Sequence, residues 1–160
     1  MKCSLVKLEK FSGSEATVYT VFNEDEQKTL FDVFIEENKN SFTSEIKEVF
    51  KTLLTIGHNT GAREQFFRPN EGAYGDFCCA LRHTQKGVLR LYCIRYGSEI
   101  IVISGGGPKN VRAWQDDDKL KAEMEWLKKF AGELNTRLET REIIYTKDYL
   151  EFLGELEFDI

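Results

Sequence analysis

The sequence contains little proline, little histidine and fewer basic than acidic residues. Two of its 160 residues are proline, and 22 Lys and Arg stand against 27 Asp and Glu, a net charge of −5. So few prolines leave little room for linkers, whereas 41% hydrophobic residues and twelve phenylalanines exclude a disordered chain. We therefore expect one domain over residues 1–160, with enough chain to bury a substantial core.

Long apolar runs are also absent. No run approaches the roughly 20 residues that span a bilayer, so we expect no membrane partner. The first ten residues, MKCSLVKLEK, alternate polar and apolar side chains and lack the apolar core of a signal peptide. These features predict a cytoplasmic protein.

Metal-ligand spacing is missing as well. The four cysteines form no CxxC pair, and with two histidines they do not favour a zinc site; these residues are Cys3, Cys78, Cys79, Cys93, His58 and His83. We expect no metal and no cofactor. An enzyme using His83 with Cys79 or Cys93 is an alternative, but Cys79 and His83 would lie about 13 Å apart along a strand, beyond hydrogen-bond reach. Small apolar strand residues, rather than a redox pair, are the favoured interpretation of Cys78 and Cys79.

The beginning of the chain predicts a β-hairpin. Residues 3–11 and 16–22 are rich in the apolar and β-branched side chains that strands favour, and a Ser–Gly–Ser turn separates them. We divide the chain into an N-terminal β-hairpin extension (1–22), a core (23–138) and a C-terminal tail (139–160).

Two amphipathic helices are predicted next. Asn23 followed by Glu26 is typical of a capping box, which predicts a helix over residues 24–38. A second helix is predicted over 43–57, because its apolar residues recur at helical spacing: Ile46, Val49, Phe50, Leu53 and Leu54. Together the two predict a helical hairpin with one shared apolar face.

Short strands and one long helix follow. Strands are expected at 77–83, 88–96 and 99–104, and connections too short for crossover helices imply antiparallel pairing. A heptad-like apolar seam predicts a helix over 116–138, as intramolecular core rather than a dimer zipper. The tail favours a strand at 143–145. The expected fold class is α+β: a small twisted antiparallel sheet with an N-terminal helical hairpin and a long C-terminal helix.

A basic segment stands out within this acidic chain. Between residues 82 and 112, one acid, Glu99, accompanies six basic residues: Arg82, Lys86, Arg90, Arg95, Lys109 and Arg112. Strand alternation should point Leu89 and Leu91 toward a helical layer, leaving Arg90 and Tyr92 on an open sheet face. Arginine beside an aromatic ring suits single-stranded nucleic acid. The alternative is that these arginines merely solvate an exposed face.

Three glycines and Pro108 precede Lys109, but the spacing does not match a nucleotide-binding P-loop, because Asn110 stands where that motif has Ser or Thr.

The order of elements, with the segments LRLYCIR (89–95) and IVISGGGPKN (101–110), resembles the RelE/ParE superfamily of bacterial toxins. More narrowly, the chain is similar to the phage-derived, HigB-like branch. The matching span covers residues 31–138, and its motifs are short.

The resemblance implies a RelE-like fold and the toxin of a type II toxin–antitoxin pair, an endoribonuclease that cuts mRNA on the ribosome without metal. It implies a cognate antitoxin as partner, with mRNA and the ribosome as targets. The family's catalytic positions fall on Arg90 and Lys109. The remaining basic and aromatic residues would bind nucleic acid: Arg82, Lys86, Tyr92, Arg95, Arg112 and Trp114.

The reaction that the resemblance implies is attack of the 2′-OH on its own phosphate. Fixed arginine and lysine side chains would stabilise the charge that builds on the phosphoryl oxygens. The acidic composition, and tryptophan where an acid–base residue is expected, favour an alternative: a non-catalytic RelE-fold module that binds nucleic acid or protein. ParE-like members of the superfamily act on DNA gyrase instead of RNA.

Overall fold

The computed structural model of the protein describes residues 1–68, 76–110 and 117–160. Within these residues, eight strands form one sheet: β1 (Lys2–Lys7), β2 (Thr17–Asn23), β3 (Lys28–Thr29), β4 (Phe67–Arg68), β5 (Cys78–Leu81), β6 (Leu89–Tyr96), β7 (Ile100–Pro108) and β10 (Glu157–Asp159). A separate ribbon pairs β8 (Ile143–Tyr145) with β9 (Phe152–Gly154). The α-helices of this part of the chain are α1 (Leu30–Asn38), α2 (Thr43–Thr55) and α3 (Asp118–Glu139).

The sheet is mixed, so the predicted small antiparallel sheet is wrong. Its order is β10–β1–β2–β7–β6–β5–β4, with β3 also paired to β2. Strands β2 and β7 run parallel, with Thr17 opposite Ile100 and Thr20 opposite Ile103. The short turns that we used to infer direction join β5 to β6 and β6 to β7, and both of these pairs are antiparallel. A long stretch of chain separates β2 from β7, so no turn fixes their relative direction.

The predicted N-terminal helical hairpin, and with it the RelE-like architecture, is also wrong. Helices α1 and α2 follow one another, but α1 packs on strands β2 and β7 instead of forming a pair with α2. The apolar stripes of both helices face the sheet, where Phe34 and Leu53 join one buried cluster with Leu89 and Leu91. Each helix therefore covers a part of the sheet.

The first helix also begins later than predicted, because Asn23 caps a turn. Asn23 is the last residue of β2, and its Oδ1 accepts hydrogen bonds from the backbone N–H of Asp25 (3.0 Å) and Glu26 (3.3 Å). The N-cap of α1 is Thr29, whose hydroxyl accepts from the N–H of Asp32 at 3.0 Å. Asparagine serves turns and helix caps by the same hydrogen bond, so the sequence pattern could not separate the two.

Helix α3 covers the opposite face of the sheet. Its apolar seam is buried, as the heptad-like spacing predicted: Leu120, Met124, Leu127, Ala131 and Leu134. This seam packs against Tyr92, Ile94 and Tyr96 of β6. The Asp117 side chain caps the helix by accepting from the N–H of Leu120 at 3.0 Å. None of the helices in the described residues combines the length and the apolar character that crossing a bilayer requires.

The remaining strands lie close to their predicted positions. Strands β5, β6 and β8 match the predictions, whereas β7 continues past residue 104 to Pro108. The C-terminal β10 returns to β1, with Cys3 opposite Phe158, and extends the edge of the sheet. The N-terminal hairpin is therefore inside the sheet, between β10 and β7.

Two glycines provide a matched test of this packing. A Cβ added at Gly106 would lie 1.8 Å from the backbone oxygen of Arg90, whereas one at Gly132, in the exposed part of α3, would meet nothing within 4 Å. We expect Gly106→Ala to lower the free energy of unfolding by more than about 2 kcal/mol, since backbone must move. Gly132→Ala should raise it by about 0.5–1 kcal/mol, because alanine favours helix. Urea unfolding measures both, and equal midpoints would contradict the register of β6 and β7.

Candidate nucleic-acid interface at one end of the sheet

Several strands end at the same place, and basic residues follow or precede them. Leu89 at the start of β6 lies opposite Pro108 at the end of β7, and the backbone N–H of Lys109 donates to the oxygen of Val88 at 2.8 Å. Strand β5 ends nearby at Leu81, since it runs antiparallel to β6. We name this region the cationic end and define it by Arg68, Arg82, Lys86, Arg90 and Lys109.

The cationic side chains differ in their access to solvent. Arg82 and Lys86, in the turn between β5 and β6, are exposed, and Lys109 is half-buried. Arg68 holds this turn, because its Nη2 donates to the backbone oxygen of Thr84 at 3.2 Å. The exposed members can therefore meet an anion in solution, while Arg68 shapes the turn that carries two of them.

Arg90 and Tyr92 do not stand on an open face, so that prediction is wrong. Tyr92 is fully buried and Arg90 is only 8% exposed, because α3 covers their side of the sheet. The Nη1 of Arg90 donates to the backbone oxygens of Gly87 (3.0 Å) and Leu89 (3.1 Å). Arg90 therefore fixes the turn before β6, and Tyr92 presents no ring on which a base could stack.

A carboxylate that the sequence did not single out anchors the same turn. Glu45, in the first turn of α2, accepts at Oε1 from the N–H of Leu89 (3.0 Å) and lies 2.8 Å from Nε2 of His83. The His83 side chain is fully buried. Gly87 makes room for this contact, since a Cβ there would lie 2.6 Å from the same carboxylate oxygen. An acid in a first helical turn is ordinary, so no sequence signal distinguished Glu45.

The glycines before Lys109 belong to strand β7. Gly106 and Gly107 lie opposite Leu91 and Arg90 in the ladder with β6, so they are not a flexible connection. The small size of Gly105 and Gly107 admits α3: a Cβ on Gly105 would meet the Glu123 carboxylate at 2.6 Å, and one on Gly107 would meet Lys119 at 3.2 Å. Burial raises the pKa of Glu123, and neighbouring Lys119 opposes that shift.

The other predicted binding residues are not brought together. Arg95 projects to the α2 side of the sheet, where its Nε donates to the oxygen of Ala62 at 2.8 Å and its guanidinium lies 5.4 Å from the Phe67 ring. Arg95 therefore makes structural contacts with Ala62 and Phe67 and does not lie beside Arg90. Arg112 and Trp114 lie outside the described residues.

The cysteines are placed as packing residues. All four are buried and free, and the Sγ atoms of Cys79 and Cys93 lie 3.6 Å apart on paired strands. Burial raises the pKa of Cys3 to about 11 and also that of Cys78, which keeps both thiols protonated at neutral pH. His83 contacts Glu45, not a thiol, so the geometry gives no support to a cysteine–histidine enzyme.

Comparisons of the chain with protein-family models, with curated proteins and with solved structures find no match. The resemblance to RelE and HigB toxins stays a prediction.

The anchoring role of Glu45 can be tested by its removal. We expect Glu45→Ala to lower the free energy of unfolding by about 1–3 kcal/mol, because the N–H of Leu89 and the His83 ring lose their acceptor. Glu48→Ala removes an exposed acid from the same helix and should change stability by no more than about 0.5 kcal/mol. Chemical denaturation measures both, and equal effects would show that Glu45 does not hold the turn.

Proposed function

We propose that this protein is the toxin of a type II toxin–antitoxin pair and acts in the cytoplasm as a metal-independent endoribonuclease on mRNA. One observation carries the proposal: consecutive strands of an acidic chain end together and bring basic side chains to one end of the sheet. Lys109 directly follows β7, and Arg82 and Lys86 lie in the turn between β5 and β6.

The charge distribution supports phosphate binding at this site. Residues 23–48 carry eight acidic and three basic side chains, whereas residues 82–112 carry one acidic and six basic. RNA is a polyanion, and an acidic protein can bind it when its charges segregate and one surface is positive. The cationic end meets that condition because Arg82 and Lys86 are exposed there.

In the proposed reaction, the 2′-OH oxygen attacks the adjacent phosphorus as its proton leaves to a base. The bond to the 5′ oxygen breaks, giving a 2′,3′-cyclic phosphate and, after that oxygen takes up a proton, a 5′-OH end. Lys109 is the proposed base, because the register of β6 and β7 puts it beside the turn that carries Arg82 and Lys86. Arg82 and Lys86 would neutralise the phosphoryl oxygens. Arg90 would hold the turn that positions them, through its bonds to Gly87 and Leu89.

A second candidate is a non-catalytic module that binds RNA and has a regulatory role. Two observations favour it: His83 is buried against Glu45, and Arg90 is bound to backbone oxygens, so neither presents an open acid–base or clamp group. In the first candidate the protein partner is a cognate antitoxin, and in the second it is a helical or extended protein segment; in both the cationic end binds phosphate.

Cell-free translation tests the proposal. We expect the wild-type protein to inhibit synthesis of a reporter, and the variant Arg82→Ala, Lys86→Ala, Lys109→Ala to lose at least about tenfold in potency, since three phosphate contacts are removed. The control Lys51→Ala, Lys129→Ala removes two exposed lysines from the outer faces of α2 and α3 and should inhibit like wild type.

Primer extension on the reporter mRNA separates the two candidates. New 5′ ends that appear with wild type but not with Lys109→Ala support cleavage. Inhibition with intact mRNA would favour the binding module, and no inhibition by the wild type would contradict the toxin.

A further inference from the structure

The ribbon of β8 and β9 is apolar on both of its faces. Its inner face carries Ile143 and Phe152, which are buried in the cluster under α3. On the outer face, Ile144 and Leu153 lie opposite each other in the ladder and are 37% and 52% exposed. A ribbon with one solvated face normally alternates apolar and polar residues, so an apolar outer pair indicates a surface that something else covers.

An exposed tyrosine extends this surface and is fixed in place. Tyr149 is 60% exposed, and its ring lies 5.6 Å from that of Tyr145, which in turn lies 5.3 Å from Phe152 in the core. These ring contacts join an exposed side chain to the buried cluster. Tyrosine held in this way offers a large contact area at low entropic cost, as in many binding surfaces.

A cleft of about 300 Å³ opens beside Tyr149, and its charged lining residues are basic. Arg141 and Lys147 line it together with Leu138, Ile143 and the two tyrosines, and no carboxylate does. Neither cation makes an ion pair within the part of the chain that the structure describes. In a chain of net charge −5, this is a second positive site, separate from the cationic end.

The acids close to the cleft in sequence do not line it: Glu142 lies 3.9 Å from Nε of Arg137, and Glu151 pairs with Lys7 at 2.8 Å. Asp148 accepts from the Thr146 hydroxyl (2.6 Å) and from the N–H of Leu150 (3.0 Å), and these bonds lower its pKa. The Asp148 carboxylate is therefore hydrogen-bonded within its own turn.

Two residues that line the cleft hold a backbone conformation that L-residues rarely adopt. The φ angles of Arg141 and Tyr149 are +66° and +63°. Neither is glycine or asparagine, the residues that tolerate this region best. Such conformations are uncommon and cluster at ligand-binding sites, where they aim particular side chains.

We propose that the β8–β9 ribbon and its cleft are a docking surface for an acidic segment of another protein. A bulky apolar side chain of that segment would enter the cleft and pack on Tyr149, while its carboxylates would meet Arg141 and Lys147. The outer pair, Ile144 and Leu153, would extend the apolar contact along the ribbon. Charge complementarity identifies this occupant, because both cleft cations lack a described acidic partner.

Other occupants fit less well. A second copy of this chain meeting the same surface around a two-fold axis would bring Arg141 and Lys147 toward their own counterparts, and like charges would repel. An anionic membrane is flat, and it would also meet the exposed Glu139 and Glu142 that flank the ribbon. A narrow peptide segment avoids both conflicts.

A fluorescein-labelled synthetic peptide that alternates glutamate with leucine and carries one tryptophan tests the proposal by fluorescence anisotropy. We expect the full chain to bind it, with affinity that falls as salt rises. Arg141→Glu with Lys147→Glu should weaken binding by at least about tenfold, since two attractions become repulsions. Tyr149→Asn should also weaken it, because asparagine removes the ring but accepts the left-handed backbone.

Matched controls make the result decisive. Lys51→Glu with Lys129→Glu makes the same change of charge elsewhere and should bind like wild type; circular dichroism verifies that every variant is folded. The proposal is overturned if the wild-type protein does not bind the peptide, or if it binds equally well a peptide with lysine in place of glutamate. It is also overturned if the control variant weakens binding as much as Arg141→Glu with Lys147→Glu does. Two further results would overturn it. One is that the wild-type protein sediments as a dimer and that Arg141→Glu dissociates this dimer. The other is that the protein binds phosphatidylserine vesicles and the peptide does not displace it from them.

Discussion

The pairing of β6 with β7 is the contact on which the rest of this structure depends. Both strands are buried on both faces, and every described side chain from Ile100 to Ile103 is inaccessible to solvent. An apolar strand of this kind needs a covering layer on each side. Helices α1 and α2 supply one layer, and α3 supplies the other. The hairpin β1–β2 and strand β10 then extend the sheet beyond β7.

The same pairing determines where chemistry is possible. Because helices cover the faces of β6 and β7, side chains on those faces serve packing, as Tyr92 does. Within the described residues, the two proposed polar sites lie at the ends of these strands and in the tail. At one end the register between Leu89 and Pro108 brings Lys109 beside the turn that carries Arg82 and Lys86. Glu45, Arg68 and Arg90 hold that turn by bonds to its backbone. The positive surface is thus a product of strand register, and buried polar contacts give it a fixed shape.

Much of the fold was predictable, and the errors have physical causes. Apolar and β-branched composition located β6 and the start of β7, and a seven-residue repeat located α3. The exposed face was predicted wrongly because alternation was assumed, although Tyr92, Ile94 and Tyr96 are as apolar as Leu91 and Cys93. A strand with no polar face is buried on both sides. The parallel contact of β2 with β7 joins residues far apart in sequence, and no local pattern reports such a contact.

The candidate site was predictable in composition and not in arrangement. Charge alone drew attention to Arg82, Lys86 and Lys109, which the structure gathers at one end. Arg90 and Arg95 have the same charge, yet the first is bound to its own turn and the second lies on the other side of the sheet. Glu45 and the cleft beside Tyr149 gave no signal, since each depends on contacts between distant segments.

The salt dependence of RNA binding tests the central claim most directly. If phosphates bind at the cationic end, the logarithm of the wild-type affinity for a single-stranded RNA falls linearly with the logarithm of salt concentration. The magnitude of that slope should be smaller by about two in the variant lacking Arg82, Lys86 and Lys109, since each single-strand phosphate contact contributes roughly 0.7. A flat wild-type dependence, or the same slope in this variant as in wild type, would contradict the account.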